Sequence, residues 1–324
     1  RTFNLPASKA TNIARIMISN FNTTESTAIV ELAYGKGKND NFHWQNVLRY
    51  CKDGCLQAVF DEYYHMLNDS FSLASTSNKV NLIYEAMCNS LRIRSAAYNV
   101  DTFNAFKNRI SGQKERGMSL RSSYATSFTK DTSETETNIN RKENVRNAFN
   151  SPMRPFVLAS TSIGQEGLDF HMYCRKVMHW NLPSNPIDIE QREGRVNRYK
   201  CLAIRQNVAQ AYGNEHFNKD IWKEMFEFAE KGERNNNQSE LVPFWCFGEN
   251  QSVKIERIVP MYPISKDEIN YERMIKILSL YRLTLGQARQ EELLEYLFDN
   301  FSNPEELKNL FINLSPISKE KELL

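Results

Sequence analysis

The spacing of apolar and polar positions divides the chain into a helical front, a mixed middle and a tail. In the front, Cys55 to Leu67 and Lys79 to Arg109 lack Pro and Gly and are rich in helix-forming residues, so both stretches predict helices. Two polar stretches, Lys130 to Asn140 and Lys231 to Glu240, predict loops. The predicted regions are a mostly helical linker or insertion, a central domain and a helical extension, at 1–118, 119–230 and 241–324.

The middle region alternates short apolar runs with a helical pattern. Ser122 to Phe128 is a β-type run, and Arg141 to Phe149 predicts a helix with Val145, Ala148 and Phe149 on one face. Three further runs read as strands, the first buried on both faces and the third a weaker candidate: Phe156 to Ser160, Lys176 to Leu182 and Ala203 to Ala209. Strands alternating with helices predict an α/β fold with a parallel sheet.

The tail predicts two helices. Met274, Leu278, Tyr281 and Leu285 repeat at helical spacing, which is typical of one face of an amphipathic helix. Asn303 can cap a second helix, because a proline and two acidic residues follow it directly. We therefore expect a helical C-terminal extension.

Composition changes this picture little. The 324 residues have a net charge of +2, so whole-chain charge argues neither for nor against nucleic acid. No run of 18 apolar residues predicts a membrane span, and the five histidines do not cluster as metal ligands would. The six scattered cysteines predict free thiols in a reducing cytoplasm. The chain begins at Arg1 without a methionine, as we expect of a piece of a longer polypeptide.

The first stretch with chemical character is 159–170, which has the sequence Ala-Ser-Thr-Ser-Ile-Gly-Gln-Glu-Gly-Leu-Asp-Phe. A predicted strand runs into Ser160, Thr161 and Ser162, then two glycines and Asp169. Ligands of open parallel sheets bind at the carboxyl ends of strands, where hydroxyls and backbone N–H groups suit phosphate oxygens. A tight structural turn is the alternative interpretation.

The second stretch is a predicted helix that begins at Pro186 and is capped by Asn185. Gln191, Arg195 and Arg198 stand at i, i+4 and i+7, which would place them on one face. Two guanidinium groups suit the charge of a phosphoryl-transfer transition state, although a solvated helix face is also possible.

Gly194 lies inside this predicted helix, where glycine costs about 1 kcal/mol relative to alanine. A close neighbour, such as a nucleotide or a facing lobe, would explain why glycine stands at this position.

Together the two stretches resemble a known family. Residues 161–170 resemble motif V of superfamily-2 helicases and translocases, and Gln191 to Arg198 resembles motif VI, whose pattern is Q-x-x-G-R-x-x-R. His179 to Pro186 resembles the strand and turn that link the two motifs. The most similar branch contains the chromatin remodellers, the bacterial polymerase-recycling ATPase and related bacterial defence helicases. The resemblance implies a RecA-like parallel sheet, the helicase C-terminal lobe.

The resemblance also implies residue roles. The catalytic set would be two arginine fingers with a glutamine that positions phosphate or water: Arg195, Arg198 and Gln191. The residues near the nucleotide would be Glu166, Gly167, Asp169 and Gly194. The residues near the nucleic-acid backbone would be Ser160, Thr161 and Ser162.

The implied cofactor is ATP with Mg²⁺, held mainly by a first RecA-like lobe of the same protein. No G-x-x-x-x-G-K-[ST] phosphate loop occurs in the 324 residues. An unrelated nucleotide-binding α/β enzyme would need such a loop, so the sequence does not support that interpretation. For the same reason we expect this chain alone not to hydrolyse ATP. The implied partner is nucleic acid, with duplex DNA preferred. A lobe that has lost hydrolysis and serves as a nucleic-acid or protein scaffold is the alternative.

Local charge and the aromatic residues support two further predictions. Five cations lie near motif VI with Glu193 as the only acid among them, which predicts a positive surface for a nucleic-acid backbone: Arg192, Arg195, Arg198, Lys200 and Arg205. Three aromatic residues are predicted as core rather than as stacking platforms: Phe170, Trp180 and Trp245.

Overall fold

The structure, a computed structural model, forms two compact units, Arg1–Leu168 and Asp169–Leu324. It describes residues 5–35, 42–92, 96–100, 102–112, 118–122, 145–153, 155–160, 169–234, 239–248, 251–281 and 290–300. The predicted regions 1–118, 119–230 and 241–324 stay predictions.

The first unit begins with five helices, as the helix-forming composition of the front predicts. Their bounds are α1 (Ala7–Phe21), α2 (Thr24–Tyr34), α3 (His43–Asp53), α4 (Leu56–Ser70) and α5 (Thr76–Leu91). Helix α1 packs on α5, α2 on α3, and α4 on α5. The buried apolar residues of these helices include Ile13, Val30, Met66, Leu67, Ile83 and Met87.

A small antiparallel sheet follows these helices. Strand β1 (Ala96–Val100) pairs with β2 (Met118–Ser122), and helix α6 (Phe103–Ile110) lies between the two strands in sequence. The prediction of one helical stretch from Lys79 to Arg109 is therefore confirmed in α5 and α6 but wrong between them, where β1 interrupts the helix. The stretch contains no helix breaker, so only the strand pairing, which is a tertiary contact, reveals the interruption.

Helix α7, described over residues 145–149, confirms the predicted helix there. Val145, Ala148 and Phe149 are buried, as expected of one apolar face. The hydroxyl of Ser90 in α5 donates to the carbonyl of Asn147 over 3.2 Å, which ties α7 to the helical core.

The predicted strand from Phe156 to Ser160 is wrong. These residues are irregular, and the side chains of Phe156 and Val157 are 75% and 84% exposed. An apolar run becomes a central strand only when neighbouring strands pair with it, and none does so among the residues that the structure describes. The predicted run from Ser122 to Phe128 lies almost wholly outside the described residues.

The second unit has a two-stranded parallel sheet and five helices in its described residues. The strands are β3 (Lys176–Met178) and β4 (Glu256–Ile258), paired with Val177 opposite Arg257. The helices are α8 (Ile187–Gly194), α9 (Leu202–Tyr212), α10 (Ile221–Glu233), α11 (Asp267–Tyr281) and α12 (Gln290–Asn300). Strand β3 confirms the start of the run predicted from Lys176 to Leu182.

The predicted third strand, Ala203 to Ala209, is instead part of helix α9. Its buried positions include Ala203, Ile204, Asn207 and Val208, a spacing of one helical face rather than the alternation of a strand. Helix α9 packs against α10 around a core that contains Phe226. The strand prediction was wrong because a short apolar run does not itself distinguish a strand from a buried helix.

Helix α11 confirms the first tail helix, with Met274 and Leu278 buried. Leu285 and the predicted cap at Asn303 lie outside the described residues. All six cysteines lie in the described part of the chain, and all are free thiols, as predicted.

Within the described ranges, no helix has the length and apolar character needed to cross a membrane. Among the same residues, no group of three or more His, Cys, Asp or Glu side chains could hold a metal ion.

Two of the three aromatic core predictions are wrong. Phe170 is buried as predicted, but Trp180 is 66% exposed and Trp245 is 45% exposed. Trp180 follows β3 and packs edge to face against Tyr262, which follows β4, with ring centroids 6.0 Å apart. An aromatic residue that directly follows a strand of a two-stranded sheet can thus remain largely exposed to solvent.

Candidate functional site

Helix α8, which carries the predicted motif VI, begins at Ile187, one residue after the predicted start, and Pro186 is its N-terminal cap. The side chain of Asn185 accepts a hydrogen bond from the backbone N–H of Ile187 over 3.0 Å, and Pro186 stands between them. Asp188 lies in the first turn, where a negative charge is favourable to the helix dipole. Local capping signals therefore define the start of the motif VI helix.

The end of α8 differs from the prediction. The helix ends at Gly194, Arg195 is its C-terminal cap, and Arg198 lies in the irregular segment that follows. Gln191, Arg195 and Arg198 consequently do not share one helical stripe. Gln191 is exposed in the last turns of the helix.

No described atom of this chain is the close neighbour that we predicted for Gly194. A Cβ placed at Gly194 would meet no atom within 4 Å. The position is open, so a requirement for glycine would have to come from outside the described residues.

The segment Asp169–Phe170 brings the two arginines together. The backbone N–H of Phe170 donates to the carbonyl of Arg195 over 3.1 Å, and Arg198 Nη2 lies 3.0 Å from Asp169 Oδ1. The last residues of the motif V stretch therefore contact both arginines of motif VI, one through its backbone and the other through its side chain.

Two guanidinium nitrogens at this contact have no hydrogen-bond partner in the described part of the chain. Nη1 of Arg195 and Nε of Arg198 are both buried and have no hydrogen-bond partner among the residues described. Buried donors are nearly always satisfied in folded proteins, so an orphaned guanidinium nitrogen calls for an explanation. An anion that approaches from outside this chain would supply the acceptor that Arg195 lacks.

His171 adds a neutral group beside this pair. Burial lowers the pKa of His171, the positive charges of Arg205 and Arg198 lower it further, and Asp169 opposes them. The imidazole is therefore uncharged at neutral pH, and its Nδ1 is buried with no partner in the described part of the unit. The positive charge at this site therefore comes from the arginines and not from His171.

The predicted positive surface is smaller than the sequence suggests, because two of its five cations are buried. Arg205 is 0% exposed and donates to the carbonyls of Lys200, over 2.8 Å, and Met172, over 2.5 Å. Lys200 has a positive φ of 49°, and its ammonium lies 4.7 Å from the centroid of the Phe226 ring. Both cations hold the fold together, so neither faces a nucleic-acid backbone.

Glu193 has a structural environment that sequence reasoning missed. Arg257 in β4 binds the Glu193 carboxylate with two donors, Nε at 2.5 Å and Nη2 at 2.7 Å. His179, which follows β3, lies with its Nε2 3.2 Å from the same carboxylate. In the sequence, Glu193 stood out only as the single acid among the cations near the predicted motif VI. Nothing in the sequence indicated a contact with Arg257, which lies 64 positions away.

These contacts change the acidity of Glu193. Burial alone would raise the pKa of Glu193, but the hydrogen bonds from Arg257 and His179 outweigh it and hold the pKa at about 2, against an ordinary value of 4.5. The ionised carboxylate therefore stabilises the folded unit above pH 4.5, and this contribution disappears as the pH falls towards 2.

Glu193→Gln should reveal this contribution in thermal melts across the acid range. We expect the variant to be less stable than the wild type at pH 7 by at most about 3 kcal/mol. The difference should shrink steadily as the pH falls from 4.5 to 2. Glu227→Gln, at an exposed position of α10, is the matched control and should follow the wild type. A difference that stayed constant over this range would contradict the assignment.

The other candidate residues can be located only in part. Thr161, Ser162, Glu166 and Gly167 lie outside the described residues. Ser160 is described and half-buried, and it belongs to the first compact unit. In the second unit, the described part of the candidate site is therefore formed by Asp169, His171, the last turns of α8 and the segment that follows the helix.

One comparison with known proteins gives a match. Residues 79–200 match the family model described as the helicase conserved C-terminal domain. No curated protein and no solved structure matches the chain. The matched stretch contains the residues predicted as motifs V and VI and covers less than half of the 324 residues. It supports a helicase-type C-terminal lobe with the α/β fold of that family, while the branch and the residue roles stay predictions.

Proposed function

We propose that this chain contributes the second motor lobe of an ATP-dependent nucleic-acid helicase or translocase. A first lobe of the intact protein would hold ATP and Mg²⁺, and Arg195 and Arg198 would reach the γ-phosphate when the lobes close. Gln191 would position the phosphate or the attacking water. The motif V residues Glu166 and Gly167 would lie near the nucleotide.

One observation carries this proposal: the buried Nη1 of Arg195 has no hydrogen-bond partner among the described residues. A guanidinium nitrogen without an acceptor is what an arginine finger offers before its nucleotide arrives. The match to the helicase C-terminal domain supports the same interpretation.

Arg198 would act differently from Arg195. Its ion pair with Asp169 holds the side chain near the site at an exposed position, where water screens the attraction. A phosphate oxygen could therefore compete with Asp169 for Arg198. We expect Asp169 to be both a nucleotide-facing residue and the group that orients Arg198 in the absence of ATP.

Nucleic acid would be held through its backbone by Ser160, Thr161 and Ser162. Short hydroxyls and nearby backbone N–H groups reach phosphates but carry no information about base sequence. With Lys200 and Arg205 buried, Arg192 remains as the cation of motif VI that could add a backbone contact. We propose duplex DNA as the preferred partner, on the resemblance to the remodeller and polymerase-recycling branch, and a cytoplasmic location stays a prediction.

The test is ATP hydrolysis by the intact protein with duplex DNA, single-stranded DNA and RNA at equal nucleotide concentration and fixed salt. We expect duplex DNA to stimulate turnover most, since a translocase of this branch follows one strand of a duplex. The salt must be fixed because backbone contacts weaken steeply as salt rises. Stimulation by RNA alone, or clean separation of a blunt duplex, would exclude duplex translocation.

The second candidate is a lobe that no longer supports hydrolysis and binds nucleic acid or protein as a scaffold. The ion pair between Arg198 and Asp169 favours it, because an arginine that is already neutralised has less to offer a phosphate. The two candidates differ in whether Arg195 acts on the chemical step.

A further inference from the structure

The position of Arg195 depends on a short helix. Helix α8 has eight residues, too few to be stable by themselves, and Arg195 lies immediately after its last turn. The direction in which the Arg195 side chain leaves the backbone is therefore set by whatever holds the C-terminal turn of α8. A small rotation of that turn would move the guanidinium by far more than the turn itself.

The carboxylate of Glu193 holds this turn to both strands of the small sheet. Arg257, the central residue of β4, donates to both carboxylate oxygens, and His179 contacts the carboxylate from the end of β3. The backbone N–H of His179 donates to the carbonyl of Ile258 over 2.9 Å, which continues the strand pairing. Glu193 is thus joined to the two strands at the place where they end.

The contact between Glu193 and Arg257 differs from an ordinary surface ion pair. The two side chains are only 20% and 28% exposed, and the guanidinium binds both carboxylate oxygens. A two-point contact of planar groups fixes orientation as well as distance. Nη1 of Arg257 also lies 3.4 Å from the hydroxyl of Tyr271 in α11, so Arg257 itself is oriented from a second element.

We infer that Arg257 is a positioning residue for motif VI, which orients Arg195 through Glu193 although it lies 57 residues beyond the family match that ends at residue 200. This inference rests on the proposed function, because it assigns Arg257 an effect on the rate of ATP cleavage. Arg257 touches neither nucleotide nor nucleic acid in this account. The helicase lobe would therefore need strand β4 to complete its catalytic arrangement.

The test compares Arg257→Met with Arg175→Met in the intact protein at saturating nucleic acid. Methionine keeps an unbranched stem and removes the donors. Arg175 is the matched control, because it pairs with the neighbouring β4 residue Glu256 and does not contact Glu193. Rates are measured well below the melting temperature of each variant, so that every variant is folded.

We expect Arg257→Met to lower kcat by about 10²-fold, since small misplacements of a catalytic group can cost this much. The KM for ATP should change less than about threefold, because motif VI acts in the transition state rather than in ground-state binding. Arg257→Lys should recover little, since an ammonium cannot bind both oxygens in one plane. Arg175→Met should keep the wild-type kcat.

Glu193→Gln provides a second measurement should Arg257→Met fail to fold. It keeps the shape of the side chain and should also lower kcat at constant KM, by a smaller factor. A double variant of Glu193→Gln with Arg257→Met should be no slower than the slower single variant, because both changes break the same link.

The outcomes separate the inference from the proposed function. If Arg195→Ala abolishes turnover but Arg257→Met and Glu193→Gln keep the kcat of Arg175→Met, the positioning role is wrong and the proposed function stands. If Arg257→Met only lowers the melting temperature, the contact is structural and the inference is overturned. If Arg195→Ala keeps full turnover, the proposed function fails and the inference fails with it.

Discussion

Replacing Arg195 with alanine is expected to lower kcat for ATP hydrolysis by the intact protein about 10³- to 10⁵-fold, the range that arginine fingers contribute. The fold should be unaffected, because Nη1 of Arg195 has no hydrogen-bond partner among the described residues, while its carbonyl contact with Phe170 survives the substitution. Arg195→Lys should fail nearly as badly, since lysine lacks the planar pair of donors. Steady-state turnover with nucleic acid measures the effect.

Arg192→Ala is the matched control for Arg195. Arg192 belongs to the same short helix, and its side chain donates a long hydrogen bond of 3.4 Å to the carbonyl of Asn181. At saturating nucleic acid the loss of one backbone contact should not limit turnover, so we expect Arg192→Ala to keep kcat within about threefold of the wild type. Its stability should change by about 0.5 kcal/mol or less, as is usual for a surface arginine. If Arg192→Ala and Arg195→Ala lowered kcat equally, the effect would come from the positive charge of the region and not from an arginine finger at position 195.

Replacing Arg205 with methionine should destabilise the unit Asp169–Leu324 by about 3 to 5 kcal/mol. The fully buried guanidinium donates to the carbonyls of Lys200 and Met172 and lies 5.1 Å from the Tyr173 ring centroid. Methionine fills part of the volume but leaves both carbonyls without these donors. Arg205→Lys should recover little, because one ammonium cannot reach both carbonyls in the fork geometry of arginine.

The measurement for Arg205 is chemical unfolding of the chain followed by tryptophan fluorescence. Three of the four tryptophans, Trp180, Trp222 and Trp245, belong to this unit, and replacing Trp44 with phenylalanine in every variant restricts the signal to them. Arg192→Met is the control and should shift the transition by less than about 0.5 kcal/mol. An Arg205→Met variant as stable as this control would show that the buried guanidinium contributes nothing that an apolar side chain cannot replace.

Local signals explain which elements could be predicted from the sequence. Asn185 and Pro186 mark a helix start through contacts within a few residues, and the structure places the start of α8 there. The apolar face of Val145, Ala148 and Phe149 is likewise a matter of spacing along one helix. Such features depend on nearby residues alone, so a single sequence is enough to find them.

Long-range contacts explain what could not be predicted. Arg205 and Lys200 looked like members of a positive surface, but both are buried. Arg205 lies against the Tyr173 ring and Lys200 against the Phe226 ring. The end of α8 at Gly194 separates Arg198 from the helix, and only the contact with Asp169 shows where the side chain lies. The pairing of β3 with β4, which brings Arg257 to Glu193, joins residues about 80 positions apart.

The measurement that tests the central claim most directly is single-turnover cleavage of prebound ATP by the intact protein, with nucleic acid bound, for the wild type and Arg195→Ala. If this lobe supplies an arginine finger, the rate constant of cleavage should fall at least about 10³-fold. The affinity for ATP should change far less than the rate constant, because the finger acts mainly in the transition state. An unchanged cleavage rate constant would contradict the account and favour the scaffold, most clearly if nucleic-acid affinity alone were reduced.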